Sequence, residues 1–87
     1  MEIKNRASAG TMESSDAYVE IEPAKTLSIE LQSVVLGQFG QQIESVVRDV
    51  LREQGVENAA VRVVDRGALE CVLRARVETA VLRGKGA

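Results

Sequence analysis

The chain is 87 residues long, carries a net charge of −2 and is 45% hydrophobic, the proportions of one small globular domain. It has no histidine, a single cysteine and two aromatics, Tyr18 and Phe39, which excludes an internal disulfide and a zinc site. With no basic stripe, no aromatic platform for bases, no apolar run of transmembrane length and no signal peptide before Ala17, neither nucleic acid nor a membrane is an expected partner, and the cytoplasm is the expected compartment.

Residues 5–17 hold Ala, Ser, Gly and Thr, with Met12 as the one sizeable apolar side chain. They bury too little to offset ordering entropy, so residues 1–17 read as a mobile arm ahead of a folded body, 18–84. In Tyr18-Val19-Glu20-Ile21-Glu22, Val19 and Ile21 share one strand face; Leu27, Ile29 and Leu31 do the same in 26–32. Pro23-Ala24-Lys25 between them reads as the turn of a hairpin. Leu36, Phe39, Ile43, Val46, Val47, Val50 and Leu51 then recur at helical steps, with Ser33 as N-cap, Gly55 as stop and Glu44–Arg48 as an i,i+4 pair. Ala60-Val61-Arg62-Val63-Val64 reads as a third strand, broken by Asp65-Arg66-Gly67. Residues 68–83 carry both an alternating and a helical pattern. Their length and Ala, Leu, Arg and Glu content favour helix, with a strand-to-helix change near Arg74 as the alternative. The expected fold is a small α+β domain in the order β-β-α-β-α, with helices on one face of an antiparallel or mixed sheet.

The chemistry in this sequence is sparse. Glu13 and Asp16 flank Ser14, but nothing apolar surrounds them to tune an acid and a base, so solvated loop charges are expected and independent catalysis is not. Cys71, among Leu69, Val72 and Leu73, reads as a small core hydrophobe; a reactive thiol would need an exposed, electropositive site. Ser14 has no base beside it and performs no acyl chemistry alone, but a second enzyme can use its hydroxyl as an attachment point. A plain interaction module bridging two larger chains fits the same composition and pattern.

The context of that serine separates these readings. Ala9-Gly10-Thr11-Met12-Glu13-Ser14-Ser15-Asp16 closely resembles the start of the acyl carrier (gamma) subunits of citrate lyase. The resemblance extends through Met1-Glu2-Ile3-Lys4, Gln38-Phe39-Gly40, Val64-Asp65-Arg66-Gly67-Ala68-Leu69-Glu70-Cys71 and Leu73-Arg74-Ala75-Arg76. It implies a non-catalytic subunit whose Ser14 is linked by a phosphodiester to 2'-(5''-phosphoribosyl)-3'-dephospho-CoA. The arm's thiol would present acetyl and citryl thioesters to the alpha (transferase) and beta (lyase) subunits, after a prosthetic-group transferase has attached it. Glu13 and Asp16 would repel the phosphodiester and favour projection of the arm into solvent. The related carrier subunit of malonate decarboxylase is the nearest alternative.

Overall fold

The two alternating segments form strands, but not with each other. The computed structural model describes residues 2–34 and 36–86, with the backbone alone for 36–39. Its elements are β1 (Ala7–Gly10), β2 (Ala17–Glu22), β3 (Leu27–Ser33), α1 (Leu36–Glu53), β4 (Ala59–Asp65) and α2 (Glu70–Gly84). The sheet order is β1-β2-β4-β3. β4 runs antiparallel to β2, with Val61 opposite Ile21, and parallel to β3, with Val61 opposite Ile29. The expected hairpin of 18–22 with 26–32 is therefore wrong. β4 is the most continuously buried strand and needs a neighbour on each side, whereas every second residue of β3 is exposed, as an edge strand allows. The segment β3–α1–β4 is a crossover unit, the connection a parallel pair requires.

The α+β class holds, with one strand more than expected: Ala7–Gly10, within the expected mobile arm, pairs antiparallel with β2 from Ala7↔Ile21 to Gly10↔Tyr18. Its small side chains let α2 close against this end of the sheet, and Ala9 is buried there. Inward-facing Val19, Ile21, Val61 and Val63 meet Val47, Val50 and Leu51 of α1 and Val77 and Val81 of α2 in one core. Both helices cover the same sheet face. On the opposite face Glu20, Arg62 and Glu30 lie in register across β2, β4 and β3. Arg62 bridges Glu20 Oε1 at 3.0 Å and Glu30 Oε2 at 3.7 Å. The Arg62 hydrogen bond, then that from the Tyr18 hydroxyl, holds the Glu20 carboxyl below its usual range.

Helix α1 buries Val47, Val50 and Leu51 fully and Ile43 and Val46 in part, and the Glu44–Arg48 pair forms at 3.0 Å. Leu36 and Phe39 of the expected stripe fall outside the described side chains. The Ser33 cap bears on position 35, also outside the description. At the other end Gly55 takes φ +73°. Its N–H donates to the Arg52 carbonyl at 3.0 Å, and that of Val56 to Leu51 at 2.9 Å. This paired closure is the one glycine permits after a helix, and buried Val56 seals it.

Helix α2 is helical from Glu70 onward, so the strand-to-helix change at Arg74 does not occur. It buries Leu73, Val77, Ala80 and Val81. Cys71 is exposed, against expectation, because two helical steps turn it about 200° from Leu73. Leu69 precedes the helix and is 71% exposed. The N–H groups of Lys4 and Asn5 both donate to the Gly84 carbonyl, at 2.8 and 2.9 Å, tying the start of the chain to the end of α2. Among the described residues no helix is long and apolar enough to cross a membrane.

Candidate functional site

Residues 11–16 join β1 to β2 and hold Ser14 at one end of the sheet. The loop starts at Gly10, whose φ of +91° favours glycine. A Cβ there would collide with the Ala17 carbonyl oxygen and approach Arg76 Cδ to 3.1 Å, so the two strand ends close against each other only because the side chain is missing. Beyond it the Thr11 hydroxyl donates to Asp16 Oδ2 at 2.7 Å and accepts the Glu13 N–H at 3.2 Å. The Asp16 N–H donates to the Glu13 carbonyl at 3.2 Å.

Two more distant elements brace the loop. Past the end of β4, the Arg66 carbonyl accepts the Ser15 N–H at 2.8 Å, and the Arg66 N–H donates to the Asp16 carbonyl at 2.9 Å. These bonds hold Ser15 at φ +67°, a conformation non-glycine residues seldom adopt. From α2, Arg76 reaches the Asp16 carboxylate through Nε at 2.9 Å and Nη2 at 3.1 Å, a bidentate fork. The Asp16 side chain is only 14% exposed. The solvated charge expected at Asp16 is thus a bracing group, and no free carboxylate there remains to repel an anion at Ser14.

Ser14 itself is exposed, and among the described residues its hydroxyl has no protein partner. Ser15 is also exposed, with its backbone fixed to Arg66, while Ser8 lies in β1 opposite Glu20. Glu13 is exposed. Beneath the loop, buried Asp65 accepts the Ser33 hydroxyl at 2.8 Å and the Ala68 N–H at 3.0 Å, joining the ends of β3 and β4 to the approach of α2. Three stretches that carried the sequence resemblance, 9–16, 64–71 and 73–76, therefore meet around one exposed serine. Arg76 and the Arg66 backbone were not singled out from sequence. Their only signal was membership in those stretches.

The bracing of Asp16 sets an acid response. Hydrogen bonds from Arg76, then Thr11, then the Ala17 N–H hold its carboxyl well below the ordinary 3.8. The folded form binds this proton less readily than the unfolded chain, so the contribution is whole at neutral pH and is lost as pH falls below 3.8. Asp16→Asn is expected to melt below the parent at pH 7, with the gap narrowing as pH drops through that range. Thermal melts of both proteins in a pH series measure it, and a gap that stays constant would show that the carboxylate is not the brace.

Comparison with known proteins identifies relatives along nearly the whole chain. The family model ACP, described as malonate decarboxylase delta subunit (MdcD), matches residues 4–84. The citrate lyase acyl carrier protein of Haemophilus influenzae strain PittEE is 53% identical over 83 residues, 95% of this chain and 87% of that relative. That of Klebsiella pneumoniae subsp. pneumoniae is 55% identical over 85 residues, 95% and 88% of the two chains. Among solved structures, a chain in a crystal structure of a Pseudomonas malonate decarboxylase hetero-tetramer in complex with malonate superposes with a TM-score of 0.82 at 25% identity, over 95% of this chain and 87% of that one. With identity above half along nearly its whole length to such relatives, the chain belongs to the citrate lyase acyl carrier protein family, and its fold is that of a malonate decarboxylase chain.

Proposed function

We propose that this protein is the acyl carrier of a cytoplasmic citrate lyase, non-catalytic by itself, with Ser14 as the attachment hydroxyl for 2'-(5''-phosphoribosyl)-3'-dephospho-CoA. The observation that carries the reading is the exposed, unpartnered Ser14 hydroxyl on a loop braced from two sides, in a chain 53–55% identical to citrate lyase carriers. Ser14 suits a phosphodiester: the hydroxyl gives up no protein hydrogen bond when it is esterified, and the braces at Ser15 and Asp16 remain intact beneath it. No histidine exists in the chain to activate it, so deprotonation falls to the transferase that delivers the group. The group supplies a thiol at the end of a long tether, able to carry an acyl unit between active sites. The body of the carrier keeps that thiol at a high local concentration beside the alpha and beta subunits.

Reconstitution tests the reading. The purified chain alone is expected to leave citrate intact, and the chain carrying its group is expected to restore cleavage when mixed with the citrate lyase alpha and beta subunits. The malonate decarboxylase description of the family model makes that complex the competing partner. Activity restored only to malonate decarboxylase subunits would reverse the assignment, and citrate turnover by the lone chain would remove the carrier role.

A further inference from the structure

Among the described residues every arginine but Arg66 reaches a carboxylate or a carbonyl oxygen. Arg66 is exposed, and it is the residue whose backbone braces the Ser14 loop. It lines an open groove of about 390 Å³, large enough for a nucleotide-sized group. Met12 and Val34, 44% and 64% exposed, also line this groove together with Val64, giving it an apolar side. The other charged side chains here already have hydrogen-bond or ion-pair partners. Arg62 is shared between Glu20 and Glu30, and Asp65 is held by the Ser33 hydroxyl and the Ala68 N–H. A guanidinium without a carboxylate partner among the described residues, exposed apolar side chains and the loop that bears the serine thus lie together at one end of the sheet.

We propose that this groove seats the attached arm itself, with the Arg66 guanidinium on its phosphate oxygens and Met12 and Val34 against its nucleoside portion. The proposal rests on Ser14 being the attachment point. Charge complementarity names the occupant: a phosphodiester-linked, nucleotide-derived arm is anionic, and arginine holds phosphate through paired N–H donors. Continuity supports it, because the groove adjoins the loop that would carry the tether. Seating the nucleotide end would leave the thiol end free while reducing the volume the arm explores.

The test compares the unmodified chain with the chain carrying its group by amide and guanidinium NMR, alongside intact mass and peptide mapping. The expected result is a group on Ser14 and shift changes at Gln32, Val34, Val64 and the Arg66 Nε–H. The changes at Gln32, Val34 and Val64 should fall by more than half in Arg66→Gln, be retained in large part in Arg66→Lys, and weaken at about 0.5 M salt, where charge pairs are screened. With the group on Ser14, shifts confined to residues 12–16 or unaltered by Arg66→Gln would overturn the docking proposal and leave the attachment reading standing. Absence of the group from Ser14 would overturn both.

Discussion

Ser14→Ala is expected to abolish both the mass increase of the carrier and the citrate cleavage of the reconstituted complex, while the protein folds and melts like its parent. The two halves have separate causes. Replacing an exposed hydroxyl without a protein partner changes stability by no more than about 0.5 kcal/mol, and the braces at Ser15 and Asp16 do not involve this side chain. Loss of the attachment atom, in contrast, leaves no thiol in reach of either active site. Ser15→Ala, which removes an equally exposed hydroxyl but keeps the backbone bond to Arg66, is expected to retain the group. Intact mass, peptide mapping and a citrate assay on the three proteins settle the point. A group found on Ser15 in the unsubstituted chain would move the site by one residue and sink the Ser14 assignment.

Val47→Asp is expected to have the largest effect on stability. Val47 is fully buried where α1 meets the shared core, in a cluster of apolar side chains. An unpaired buried charge, plus the lost apolar contact, costs about 4–5 kcal/mol. A domain of this size holds only about 4–13 kcal/mol in total, so the substitution should remove roughly a third or more of it and lower the unfolding midpoint steeply. Ser45→Asp, two residues away on the exposed side of the same helix, should stay close to the parent. Urea titrations followed by circular dichroism compare them, and equal midpoints would mean that the α1 stripe does not face the core.

Periodicity reports which face of a segment is buried, and on that question the sequence was legible. Val19 and Ile21, Val61 and Val63, and Val47, Val50 and Leu51 are all inside. Periodicity carries nothing about which strand lies next door. Pro23-Ala24-Lys25 has the composition of a hairpin turn, yet β2 lies between β1 and β4, the latter some forty residues on, and not beside β3. β1 was invisible because Ala7-Ser8-Ala9-Gly10 has no apolar alternation; small size, which admits α2, is its qualification. A core position for Cys71 fits a strand over 68–83 and conflicts with the helix that forms there. Once 68–83 is helical, a residue two steps from Leu73 cannot share its face. At the candidate site the neighbours of Ser14 single it out in sequence, and the structure leaves it exposed. The role of Asp16 was not legible, because Arg76 stands 60 residues away and no local pattern couples them.

That separation has a consequence for the order in which the molecule is made. The stretch bearing Ser14 is synthesised early, but the guanidinium that grips Asp16 follows it by 60 residues. At ordinary translation rates that interval lasts roughly 3–12 seconds. Throughout it β4, the strand that joins β2 to β3, is incomplete or newly made, and sheets closed by such distant pairings form slowly. A nascent chain therefore offers the serine on a slack thread, and only a finished one offers it on a rigid mount. The mount for that loop is therefore complete only after Arg66 and Arg76 have both been made.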